Sequence, residues 1–292
     1  MSEIRSVEEL RQQGLEKMRA NQIEQALPLF DQALALAQDD ETRELITINK
    51  ASVHVRLGEA TAEVQQLPRI IMRRRNPRHV WLASYYLAAK FENEKEFSKA
   101  RFYLEIALTT AQETDDTEER AQTLVHLGNN YVFDSRPDEA ISCYTEALAL
   151  LGEGIAGGIW RAFALQNLGY ARLLKEDSAA GVELILEAVS LMKVTGAEGY
   201  ASESYIDLCH GYLDLGDLEK AQHYGELGLE GATEQRQVRN AHYLLGEVAH
   251  NLGESERAAF HFEKLAAYYP EFPHLKNLLV AIDLRKMVNF KL

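Results

Sequence analysis

The chain has 292 residues, 46% apolar and 26% charged, a balance that suits a folded protein with a sizeable core and argues against disorder. Its formal net charge of −14 would repel a phosphate backbone, so no nucleic-acid partner is expected. Two isolated cysteines, Cys143 and Cys209, make no disulfide framework or CxxC site, residues 1–10 carry charges where a signal peptide needs an apolar run, and no stretch approaches the roughly 20 apolar residues of a bilayer span, so a cytoplasmic protein with no membrane partner is expected.

In chain order, a small residue recurs with a second small residue 12 positions later. The first unit, about 5–38, has Gly14 with Ala26, then Phe30 and Ala33. The second, about 44–75, is degenerate: Ala51 meets Glu63 at the partner position. It runs into a basic cluster of Arg69, Arg73, Arg74, Arg75 and Arg78 around Asn76-Pro77. Arginines there favour a helix C-terminus and keep a loop soluble; they also suit contact with an acidic partner, a second copy included.

The third unit, about 79–112, pairs Ala88 with Ala100. An acidic run follows, in which Asp115 or Asp116 is placed to cap the next helix, with Glu118 or Glu119 three residues on. The fourth, about 117–151, is the clearest copy. Leu124, Leu127, Gly128 and Tyr131 form one stripe and Ala140, Tyr144 and Ala147 the next, separated by Asp134-Ser135-Arg136-Pro137. The glycine-rich segment 151–158 lacks a GK[ST] ending and a preceding strand, so it reads as a loop between units.

The fifth unit, about 159–193, pairs Gly169 with Gly181, and the sixth, about 199–232, pairs Cys209 with Ala221. The seventh, about 236–270, pairs Gly246 with Ala258 across a turn at Leu252-Gly253-Glu254. After Pro270 and Pro273, a capping helix is expected over 273–290, with Leu275, Leu278, Leu279, Ile282 and Met287 near one face. The first members recur at spacings of 37, 37, 40, 41, 40 and 37 residues, and each unit reads as helix, short turn, helix. Small residues are needed because antiparallel helices approach closely only where one side offers little bulk.

No Ser-His-Asp or Cys-His arrangement has catalytic spacing, and the nine histidines include no HExxH. His242 and His250 lie two turns apart and read as surface or groove residues. No enzyme activity, cofactor or metal is expected. Cys143 and Cys209 fall on or beside the packed stripes, where buried reduced thiols belong.

Leu127-Gly128, Tyr131, Ala140, Tyr144 and Ala147 resemble the tetratricopeptide repeat, as do Gly14, Ala26, Phe30 and Ala33, and Gly246, Gly253, Ala258, Phe262 and Pro270. The period exceeds that family's usual 34 residues, and the sixth unit has Gly225 and Gly228 where bulkier residues are usual. The resemblance implies an all-α fold: one right-handed superhelical solenoid, 1–292, of about seven antiparallel helix-turn-helix repeats plus the capping helix.

It also implies that the first helix of each unit lines a concave groove. Transferred by alignment, the groove row is Tyr85, Ala89 and Glu92, then Val125, Asn129 and Val132, then Gln166, Tyr170 and Leu173, then Ile206, His210 and Leu213, and last Tyr243, Glu247 and His250. An apolar, aromatic trough with scattered polar groups suits a peptide or amphipathic helix. For any one of these residues, packing between neighbouring repeats is an equal alternative; the row as a whole reads better as a groove. Repeats that clamp a C-terminal carboxylate need cations where this chain has Val125, Phe163 and Gln166, so a clamp is not expected. The expected function is a protein-interaction scaffold. The alternatives are a peptide-responsive signalling regulator working through the superhelix, and a self-assembling structural protein such as a homodimer.

Overall fold

The computed structural model of the chain describes residues 6–272 and 274–281. Among them there are α-helices and no strands, and the helices come in hairpins. These are α1 (Val7–Arg19) with α2 (Ile23–Leu36), α3 (Asp40–Leu57) with α4 (Ala62–Arg73), and α5 (Pro77–Asn93) with α6 (Phe97–Glu113). Next come α7 (Thr117–Phe133) with α8 (Pro137–Leu151), and α9 (Gly158–Leu174) with α10 (Ser178–Val194). The last pairs are α11 (Ala201–Asp214) with α12 (Leu218–Glu230) and α13 (Gln235–Asn251) with α14 (Ser255–Ala266), followed by α15 (Leu275–Ala281). The chain divides into two compact units, with the boundary between Thr123 and Leu124.

Each hairpin turn is built the same way. Seven residues after the small residue, the backbone enters the left-handed region at Asn21, Gly58, Lys95, Ser135, Glu176, Gly216 and Gly253, with φ between 57° and 77°. The next residue's N–H then donates five positions back, as in Gln22 to Lys17, Arg136 to Tyr131 and Glu254 to Ala249, at 2.8–2.9 Å. This double closure of the helix end satisfies carbonyls that the helix leaves open. Glycine or asparagine meets the φ at little cost; Lys95, Ser135 and Glu176 bear about 1 kcal/mol of strain each. The second hairpin, degenerate by its side chains, makes the same turn at Gly58.

The recurring small residue makes room for the side chain 16 positions later. A Cβ on Gly14 would lie 2.5 Å from Cε1 of Phe30, and one on Gly128 or Gly246 would meet the ring of Tyr144 or Phe262. Where alanine replaces glycine, at Ala51 and Ala88, the facing residue shrinks to Leu67 and Leu104, all four fully buried. Gly169 faces Ile185, and its Cβ would also lie 2.8 Å from the carbonyl oxygen of Gly181. The sixth unit inverts the arrangement: Cys209 supplies the side chain, and the Cβ of a residue at Gly225 would lie 3.0 Å from its Sγ. Gly228 lets α12 approach α11 so closely that Ser202 Oγ donates to its carbonyl at 2.8 Å. The Gly–Phe, Gly–Tyr and Ala–Leu pairs therefore hold their combined volume nearly constant, as a close-packed interior requires.

Within the first unit, Leu10, Phe30, Ala33, Ile46 and Val53 form one cluster and Ile48, Val55, Leu67 and Leu87 another. Within the second, Ala162, Leu165, Ala188, Met192 and Ala201 join α9, α10 and α11. Each large apolar side chain so buried contributes about 1.5–3 kcal/mol. Cys143 and Cys209 are buried free thiols, and burial pushes the Cys143 thiol up to about 12.

Three local features go beyond the pattern read from the chain. Pro28 and Pro68 lie inside α2 and α4 instead of between helices. Glu63, at the expected small position, is half-buried because Lys50 Nζ meets it at 2.8 Å. Of the expected capping helix, α15 has Leu279 buried and Leu278 45% exposed, so Leu278 leaves the apolar face; Ile282 and Met287 lie outside the described residues.

Candidate functional site

The first helices of neighbouring hairpins meet through polar as well as apolar contacts. In the first unit, His79 Nδ1 lies 2.8 Å from Glu44 Oε1, and Trp81 Nε1 donates to Thr123 Oγ1 at 2.9 Å. In the second unit, Gln166 on α9 donates to Asp207 on α11 at 3.3 Å. Arg236 on α13 makes two parallel bonds to Glu203 on α11, at 2.9 and 3.1 Å. Burial disfavours the Arg236 charge, but Glu203 outweighs it and the guanidinium is held more firmly charged than usual. Asp214 accepts from Ser178 at 3.2 Å and lies 3.5 Å from His210 Nε2, whose ring sits beside Tyr170.

The groove row is distributed unevenly over this framework. Tyr85, Ala89 and Glu92 in the first unit are half-buried, and Tyr85 lies against Trp81 and Tyr86. In the second unit Val125, Val132, Gln166, Tyr170, Leu173, Ile206, His210, Leu213, Tyr243 and Glu247 are all at most 5% exposed. Asn129 is half-buried and His250 exposed. At that burial most of the row takes part in packing between first helices. Solvent enters at a cleft of about 160 Å³ whose lining includes Asn129, Val132, Gln166 and Tyr170.

The remaining walls of that cleft are Phe133, Tyr144, Asn167, Glu203 and Arg236, none of them on the transferred row. Tyr144 reaches it from the second helix of its hairpin because Gly128 lets its ring through; its hydroxyl donates to Asn129 Oδ1 at 2.7 Å. The cleft thus combines aromatic faces, three side-chain amides and one ion pair. That set recognises backbone amides and one or two apolar side chains, and it is small beside a drug-sized pocket of about 300 Å³ or more.

The basic cluster splits. Arg74 pairs with Glu113 at 2.7 Å, and Arg78 Nε lies 3.7 Å from Glu119. Glu119 is buried, which pushes its carboxyl up to about 7, with Asp116 adding to the shift and Arg78 opposing it. Of the two candidate caps, Asp116 is the one used, accepting from the Glu119 N–H at 2.9 Å. Arg69, Arg73 and Arg75 instead line a second, larger cleft within the first unit, together with Arg43. Arg43 belongs to no basic run, and only folding brings it to the others.

His242 is buried, not a surface or groove residue: its Nδ1 lies 3.0 Å from Nδ1 of the buried His261 on α14. Burial lowers both histidines below the usual 6.5, and His242 with Arg257, opposed by Glu226, takes His261 to about 4. The unfolded chain takes up these protons near pH 6.5 and the folded one only further down. The pair's contribution to stability is therefore complete above pH 6.5 and is lost as pH falls towards 4. Replacing His261 with Gln is expected to flatten the fall in urea midpoint between pH 7 and pH 5; a parallel fall in parent and variant would exclude the pair as its source.

Among the described residues, no group of three or more His, Cys, Asp or Glu is arranged to hold a metal ion, and no helix is long and apolar enough to cross a membrane.

A sequence model described as the tetratricopeptide repeat matches residues 240–272, which hold most of α13, all of α14 and the turn at Gly253. Comparison with curated protein sequences finds no match. Solved structures match over nearly the whole chain. A Rap protein complexed with competence and sporulation factor superposes with a TM-score of 0.69 at 17% identity, covering 94% of this chain and 76% of that one. The apo form of RapI gives 0.66 at 13% identity, covering 91% and 77%. The STAND signal-transduction ATPase with a tetratricopeptide repeat sensor from Pyrococcus horikoshii gives 0.68 at 15%, covering 94% of this chain and 44% of that one. At these identities the likeness is one of fold.

Proposed function

We propose that this tetratricopeptide-like repeat protein is a non-catalytic interaction scaffold that holds a short peptide segment on the first-helix face of its second unit. The observation that carries the reading is the cleft bounded by Asn129, Phe133, Tyr144, Asn167 and Tyr170, where aromatic faces and side-chain amides meet. A peptide backbone finds hydrogen-bonding partners in the amides and one apolar side chain lies against the rings. The fold is that of a Rap protein solved with competence and sporulation factor, which agrees with a peptide ligand.

A second reading, peptide-responsive regulation, is favoured by the buried bonds joining the first helices. A segment inserted between Gln166 and Asp207, or between Glu203 and Arg236, has to break them, so binding would shift one hairpin against the next.

The test is selection of peptides from a random library on the full chain. Peptides so enriched are expected to bind at least about tenfold more weakly to Phe133→Ala and Asn167→Asp variants, both at half-buried rim positions. Undiminished binding to both variants would remove the cleft as the site.

A further inference from the structure

The larger cleft, in the first unit, has a volume of about 630 Å³, within the range of about 300–1,000 Å³ usual for ligand sites. Its cations come from three places: Arg43 on α3, Arg69 and Arg73 on α4, and Arg75 just beyond the end of α4. Arg43 is oriented by bonds from Nη1 to the carbonyls of Leu34 and Ala37, at 3.3 and 3.1 Å, which neutralise none of its charge. Arg69, Arg73 and Arg75 are exposed, and no carboxylate among the described residues pairs with them. Two acidic groups, Asp40 and Glu44, share the cleft, and Glu44 is already engaged by His79 at 2.8 Å.

Four guanidiniums against two carboxylates leave this cleft positive in a chain of net charge −14. Supporting the C-terminal dipole of α4 explains Arg73 but not the others: Arg69 lies a turn earlier, Arg75 lies beyond the helix end, and Arg43 is on α3. Like charges converging on one solvent-filled cleft repel each other, and a bound anion relieves that repulsion.

We propose that this cleft binds an acidic peptide segment, in extended form, with carboxylates at alternate positions. Arg69 and Arg73 are one helical turn apart, about 6 Å along the axis, which matches the roughly 6.6 Å between alternate residues of an extended chain. Each guanidinium offers a carboxylate two parallel hydrogen bonds. Thr47, Gln65 and Gln66 supply neutral partners for the peptide backbone, and Leu34 and Ile70 receive the methylene stems of the acidic side chains. A nucleic acid would face the repulsion of the whole chain, whereas a short peptide meets mainly the local field. This site is separate in residues and in ligand chemistry from the second-unit cleft.

The test is fluorescence anisotropy of a labelled hexapeptide of alternating glutamate and serine, titrated with the full chain at low salt. Expected results are binding that weakens at least about tenfold in R69Q/R73Q and that is lost when the glutamates are replaced by glutamine. R74Q/R101Q makes the same change in net charge outside the cleft and is expected to bind like the parent. Equal binding by R69Q/R73Q, or equal binding of the glutamine peptide, overturns the proposal. So does an Arg69- and Arg73-dependent affinity for oligothymidine or phosphatidylserine vesicles without one for the peptide. The Phe133→Ala variant should leave this binding intact, so failure here and failure of the second-unit site are told apart.

Discussion

Replacing Gly246 with alanine is expected to destabilise the last hairpin by about 2 kcal/mol, although alanine is the better helix former by about 1 kcal/mol. The added methyl would clash with Cε1 of Phe262, a side chain that is fully buried and has Tyr243 beside it. Phe262→Leu alone is expected to cost about 1–2 kcal/mol through the cavity it leaves. The double variant recreates the Ala51–Leu67 and Ala88–Leu104 pairs that the chain already uses, so it is expected to recover most of the loss. A double-mutant cycle by urea denaturation, followed by amide exchange in α13, should show a favourable coupling of about 2 kcal/mol. Strict additivity would mean that volume matching across the hairpin is not what sets the glycine.

Arg236→Met is expected to cost about 2–3 kcal/mol, the second large effect. Glu203 has only 14% of its side chain exposed, and losing the two bonds from Arg236 leaves a carboxylate that water reaches poorly. Removing one member of a buried pair costs about 3–5 kcal/mol, and the 29% exposure of Arg236 places this case at the lower end or below. The paired change Glu203→Leu with Arg236→Met should return most of that stability, because two apolar groups of similar volume leave no unpaired charge. Thermal unfolding of the two single variants and the double one decides this. A double variant no more stable than Arg236→Met would mean that the ion pair contributes something beyond mutual neutralisation.

The hairpins were legible because what defines them is local. A small residue, a turn seven positions on and a large residue 16 positions on all fall within one helix-turn-helix, so 30-odd residues contain the whole pattern. Even so, the 12-residue spacing pairs Gly14 with Ala26, the neighbouring small residue, whereas the side chain that needs the space is Phe30. On that spacing Ala51 has no small partner, yet Leu67 answers it as Leu104 answers Ala88.

The candidate sites were less legible. Alignment placed Asn129, Val132, Gln166 and Tyr170 at the second-unit cleft, but gave no sign of Tyr144 entering from the opposite helix or of Glu203 and Arg236 closing one wall. His242 kept a helical spacing to His250, yet its partner is His261 on the next helix. Among the arginines, adjacency grouped Arg74 and Arg78 with Arg69, whereas the cleft takes Arg43 in their place.

By itself, the order of residues determined the helical class, the seven turns and the hairpin contacts, since side-chain volume and backbone φ act over a few turns of one chain segment. Only the tertiary structure decided which side chains meet between hairpins, and so which stay open to a ligand. Those contacts join residues 33 to 42 positions apart, such as Glu203 with Arg236 and Trp81 with Thr123. Their register depends on how one packed hairpin is rotated against the next, and no short pattern in the sequence encodes that angle.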